Sequence, residues 1–85
     1  MKWGLVLSNS AKRSLRRAPR DNLSKLNEVF DELCADPYLH DTKLLKGLNG
    51  AFRRRAGSWR ILFKLDVERH LIVVTEVVRR GSHSY

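Results

Sequence analysis

One stretch of the chain constrains the rest more than any other. Leu23, Leu26, Val29, Phe30, Leu33 and Cys34 follow an i, i+3, i+4, i+7 spacing, so a helix through them carries a single apolar stripe. Asp21 and Asn22 at its start supply caps and the negative charge that a helix N-terminus favours. Asp36-Pro37 ends it, because the residue before a proline is pushed out of helical geometry. A stripe of this kind must be buried against another element.

The flanking segments supply that element. Lys2 to Leu7 reads as a short strand. Ser8 then offers a hydroxyl cap to a first helix, with Ala11, Leu15 and Ala18 at helical spacing and Lys12, Arg13, Arg16 and Arg17 on its other faces. Pro19 breaks this helix or opens the next. From Tyr38 to Gly50 the pattern lapses into a loop. Ala51 to Arg55 alternates, with Arg53 and Arg55 on one face; Arg54 shares the face of Phe52, an awkward place for a charge. Ser58 to Leu65 puts Trp59, Ile61, Phe63 and Leu65 opposite Arg60, Leu62 and Lys64. Asp66 to His70 makes a turn, and Leu71 to Val78 is a β-branched run suited to a central strand. The expected fold is α+β: a strand, a two-helix hairpin, then a three-stranded antiparallel meander, forming one sheet with the helices packed on one face. The 85 residues form one domain, 1–85.

Composition narrows the function. No apolar run approaches the roughly 20 residues of a membrane span, and no signal-peptide core precedes a cleavage site. Cys34 is the single cysteine, so no internal disulfide forms, and His40 and His70 have no metal-ligand spacing. These features favour a reducing cytoplasmic setting, with no membrane, metal or cofactor. Seventeen Lys and Arg against nine Asp and Glu give a net charge of +8, a field that attracts polyanions, nucleic acid first among them.

The residues also carry a resemblance. The order of elements, Asp36-Pro37, Leu44-Leu45-Lys46-Gly47-Leu48, Phe52-Arg53-Arg54-Arg55, Gly57-Ser58-Trp59-Arg60-Ile61-Leu62-Phe63 and the tail ending in Tyr85 resemble the RelE/ParE toxin superfamily. The likeness spans nearly the whole chain. It implies a sheet with the first strand beside the last. The Arg-plus-terminal-Tyr pattern is that of the RelE branch, which implies the toxin of a type II toxin–antitoxin system. Such a toxin is a metal-independent endoribonuclease that cuts messenger RNA in the ribosomal A site by 2′-hydroxyl attack. The alternative is the ParE branch, which inhibits DNA gyrase without catalysis. Implied partners are a cognate acidic antitoxin, folding on the basic surface as it binds, and the ribosome with its ribosomal RNA and A-site message.

The resemblance assigns catalytic roles to Arg60, Arg79, Tyr85, His83 and Arg55, and RNA contacts to Arg53, Arg54, Arg80 and Lys46. Arg60 stands where a RelE-type arginine meets the scissile phosphate, and a guanidinium suits that geometry. Arg79 aligns with a second arginine that neutralises charge; Arg80 takes its role if the alignment slips by one residue. Arg53 and Arg55 match basic positions that are often lysines, one of them credited with assisting the base. Arginine there gives up a proton less readily than lysine, so positioning is the expected role. Tyr85 offers a flat ring to an unpaired base. His83 is the tail side chain whose ordinary pKa, about 6.5, suits proton transfer. Trp3 and Trp59 read as packing residues, Cys34 as core, His70 as solvated, and Glu76 as a structural partner for an arginine. The helix cations Lys12, Arg13, Arg16 and Arg17 read as a solvated face.

Overall fold

A computed structural model describes residues 2–38, 42–44 and 50–79. Strand β1 (Gly4–Leu7) leads into helices α1 (Asn9–Arg17) and α2 (Arg20–Ala35), followed by β2 (Thr42–Leu44), β3 (Phe52–Ala56), β4 (Trp59–Asp66) and β5 (Leu71–Arg79). The strands form one sheet in the order β1-β5-β4-β3-β2. β1 runs parallel to β5, and the other pairings are antiparallel. The first strand therefore lies beside the last, as the resemblance implied. β2 is an addition at the far edge: its residues fall within the stretch expected to be a loop, and they pair Lys43 with Arg53 in register.

The helix boundaries follow from local chemistry. The Ser8 hydroxyl accepts a hydrogen bond from the Ala11 amide at 3.0 Å, capping α1 as its position predicted. Its own O–H donates to the Thr75 carbonyl at 2.7 Å, which pins the start of α1 to β5. Pro19, rather than Asp21 or Asn22, is the cap residue of α2; its carbonyl accepts from the Leu23 amide. Asp21 lies inside the first turn, where its charge still suits the helix dipole. Asn22 instead accepts a hydrogen bond from Trp59 Nε1 at 2.8 Å, tying α2 to β4. Asp36 ends α2 and accepts from the Tyr38 amide.

The stripe of α2 buries Leu26, Val29, Phe30 and Leu33 against one face of the sheet. That face contributes Trp59, Ile61 and Phe63 from β4 and Ile72, Val74 and Val77 from β5. Cys34 packs at the margin of this core, and burial pushes its thiol pKa up, which keeps it protonated and unreactive. The β3–β4 connection is a two-residue turn, Gly57-Ser58, closed by the pair Ala56 and Trp59. Gly57 has φ of +63°, a conformation that side chains with a Cβ rarely adopt.

One irregularity matters more than the rest. Between β4 and β5 the register shifts by a residue at Leu62/Phe63: Phe63 pairs with Val74, but Leu62 pairs with Glu76. Thr75 is therefore the extra residue of a β-bulge. Its hydroxyl donates to the Leu62 carbonyl at 3.2 Å, bridging the gap in the ladder. Side chains alternate along a strand, so an inserted residue exchanges the faces of everything beyond it.

Candidate nucleic-acid interface

β3 and β4 present Arg53, Arg55, Arg60 and Lys64 on the sheet face opposite α2. Arg55 pairs directly with Arg60, and Arg53 with Leu62, two residues along β4 from Arg60. Cross-strand partners point the same way, with Cβ atoms about 4.5–5.5 Å apart, and diagonal neighbours lie about 7–8 Å apart. Arg53, Arg55 and Arg60 thus share one patch, with exposed Lys64 further along β4. Arg55 is exposed, while Arg53 and Arg60 are half-buried. Arg60 is engaged within the chain, and Arg53 keeps a buried Nε with no partner.

Like charges directly opposite in a sheet destabilise it. Helix α2 covers the other face, so the Arg55–Arg60 pair is placed where an anion can reach it. A phosphodiester fits such a patch, since guanidinium forks match phosphate oxygens.

The expected set does not converge in full. Arg79 pairs with Trp59, and its guanidinium carbon lies 5.5 Å from the centre of that ring. Trp59 belongs to the helix-side face, whereas Arg60 pairs with Val78 on the other. Arg79 and Arg60 therefore project from opposite sides of the sheet. The bulge is the cause: had Thr75 taken a regular place in the ladder opposite Leu62, alternation would have put Arg79 on the side of Arg60.

Arg54 is a second correction. It was expected among the RNA contacts, yet it is only 5% exposed and lies beneath α2, bonded to Glu32. Its Nε and Nη1 are buried without partners. A side chain so placed supports the helix and cannot meet RNA. Arg80, His83, Tyr85 and Lys46 lie outside the described residues.

Other expectations resolve in detail. Trp59 is 7% exposed and packs in the core, as expected. His70, read as solvated, is half-buried and stacks on Trp3 with ring centres 3.9 Å apart. Glu76, read as a partner for an arginine, accepts a hydrogen bond from the Ser10 hydroxyl at 3.4 Å. Lys64 was seen on the right face but not counted for the site; its exposure two positions beyond Leu62 was the available signal. No group of His, Cys, Asp and Glu able to hold a metal ion occurs among the described residues.

Comparison with known proteins places these features in context. No family model matches the chain. Its sequence is similar to that of Toxin RelG from Mycobacterium tuberculosis, at 28% identity over 83 residues, covering 96% of this chain and 95% of that protein. It is also 26% identical over 83 residues to Putative toxin RelE1 from Methanocaldococcus jannaschii, covering 94% and 92%. In three dimensions it matches a chain of the RelBE2 toxin–antitoxin complex from M. tuberculosis with a TM-score of 0.84 at 28% identity, covering 94% of this chain and 100% of the other. The isolated RelE toxin of E. coli shares the fold, with a TM-score of 0.80 at 15% identity, covering 96% and 88%.

Proposed function

We infer that this chain, whose sequence and fold both put it in the RelE-like toxin superfamily, is a ribosome-dependent endoribonuclease. It would act in the cytoplasm as the toxin of a type II toxin–antitoxin pair. The observation that carries the reading is the Arg53, Arg55 and Arg60 patch on the sheet face that the helices leave uncovered.

The proposed reaction joins the 2′-oxygen of a nucleotide to its own 3′-phosphorus. The 2′-hydroxyl loses its proton, the bond from phosphorus to the 5′-oxygen breaks, and that oxygen gains a proton. The products are a 2′,3′-cyclic phosphate and a 5′-hydroxyl end. Charge on the phosphate oxygens grows as the phosphorus becomes five-coordinate. Arg60 would hold those oxygens, with Arg55 beside it adding positive potential. Arg53 would position the neighbouring phosphate. Neither Arg53 nor Arg55 serves as the base, since a guanidinium only donates hydrogen bonds and has no acceptor site for a proton. Proton transfer is assigned to the tail, with His83 and Tyr85 as its two candidates. Arg80 is the tail arginine proposed to assist Arg60, in place of Arg79. Lys46 completes the set of proposed RNA contacts.

The +8 net charge fits both proposed partners, the ribosome and an acidic antitoxin. We propose that the antitoxin covers the arginine patch or displaces the tail. A complex in which both stay open would contradict this.

Toeprinting of messages on programmed ribosomes tests the reading, with wild type, Arg60→Ala and His83→Ala side by side. Wild type should cut in the A site and Arg60→Ala should not. A fully active Arg60→Ala protein would overturn the mechanism. DNA-damage signalling with intact messages would instead favour gyrase inhibition.

A further inference from the structure

Away from the arginine patch, an open cleft of about 270 Å³ lies between α1 and the end of β5. Ser10, Ser14 and Arg17 line it from α1, spaced to share one helix face. Trp59, Glu76 and Arg79 line it from the sheet. Its volume falls just below the roughly 300–1,000 Å³ of common small-ligand sites, which suits one planar base. Val78 also lines the cleft and is the cross-strand partner of Arg60. The two sites thus draw on neighbouring strands, whose backbones run about 4.8 Å apart.

The chemistry of the cleft is specific. The Arg79 guanidinium lies over the Trp59 ring, a contact that biases the cation toward this side of the cleft. Unpaired bases stack on such guanidinium planes. Glu76 brings a half-buried carboxylate whose bond from Ser10, at 3.4 Å, is long. No salt bridge to Glu76 forms among the described residues, although Arg17 and Arg79 share the cleft. The carboxylate thus keeps acceptor capacity for a ligand.

Among the four RNA bases, guanine alone offers two adjacent N–H donors, N1–H and N2–H, to one carboxylate. Uracil would set carbonyl oxygens against it. Arg17 supplies positive charge for the adjoining phosphate.

We propose that this cleft is a guanine subsite, in which Glu76 reads the base and Arg79 stacks on it. The bound nucleotide would belong to the same single strand whose phosphate meets Arg60. The inference rests on the RNA-cleaving reading above and adds a sequence preference to it.

The test uses fluorescence anisotropy at low salt with the full chain and two labelled probes, pentauridylate and the same oligomer with a central guanosine. Wild type should bind the guanosine probe about tenfold more tightly, the size of one good bidentate contact. Glu76→Gln, which preserves shape, should erase that preference without weakening pentauridylate. Arg79→Ala should weaken both probes by removing the stacking surface, while Arg60→Ala should weaken both and leave their ratio intact. Equal wild-type binding of the two probes, with Arg60→Ala still weakening both, would sink the guanine subsite and spare the RNA reading. Binding of neither probe would sink both. A guanosine preference that survives in Glu76→Gln would also overturn the assignment.

Discussion

Arg54 and Arg55 are neighbours in one strand, yet they live in different chemistry. Arg54 is buried beneath α2 and bonded to Glu32, whereas Arg55 is exposed and paired with Arg60 across the sheet. The helix-covered face treats a guanidinium as a guest that must be matched. The open face sets Arg55 directly opposite Arg60, a like-charge placement that disfavours folding and favours an anion. The contrast separates arginines that hold the fold from those placed to bind a ligand. Charge count alone could not make that distinction.

The largest test of the two-face arrangement is exchange of the residues at 76 and 77, Glu76→Val with Val77→Glu. The exchange puts a carboxylate opposite Ile61, on the core face now filled by Val77. Burying an unpaired carboxylate while losing a core valine costs several kcal/mol, a large share of the about 5–10 kcal/mol that holds a domain this size. The exchanged variant should lack a cooperative thermal transition. A folded variant with a normal melt would show that the bulge does not sort the faces.

Arg60→Ala comes next. Its effect should fall on cleavage, by about 10²–10³-fold, as expected for loss of one preorganised donor to a charged transition state. Thermal stability should stay close to wild type, because the side chain lies outside the helix-side core. A matching drop in melting temperature would make Arg60 a fold residue like Arg54 and erase the distinction.

These tests bear on what the sequence could reveal. The α2 stripe, the alternation of β4 and the Ser8 cap were all legible, because each is set by residues close together in the chain. The shared face of Arg53, Arg55 and Arg60 was legible for the same reason, with a single tight turn between the strands. The side taken by Arg79 was not. It depends on a bulge inside an unbroken β-branched run, where apolar residues on both faces hide any change of parity. The awkwardness of Arg54 could be read, but its partner could not: Glu32 lies on another element, 22 residues away in sequence.

The Arg54–Glu32 pair gives a smaller, two-sided prediction. Glu32→Ala leaves a buried guanidinium uncompensated and should cost about 1–2 kcal/mol in urea unfolding. The figure sits below the range for fully buried pairs because the Glu32 side chain is 54% exposed. Arg54→Met removes the charge and keeps the length, so it should be nearly neutral or stabilising. If the methionine variant loses as much stability as the alanine one, the pair contributes attraction beyond its desolvation cost.

The smallest expected effect is that of Arg79→Ala on the fold, and it sharpens the comparison most finely. An exposed cation over an indole contributes about 0.5–1 kcal/mol, so the melt should shift only slightly. At saturating substrate the cleavage rate should remain far above that of Arg60→Ala, since Arg79 projects from the opposite side of the sheet. If the two variants instead lose the same share of the rate, both arginines must act on one phosphate. That result would require β5 to lose its bulge when RNA binds, bringing Arg79 to the face of Arg60. Hydrogen exchange at the Thr75 and Glu76 amides, with and without RNA, would then reveal the register change directly.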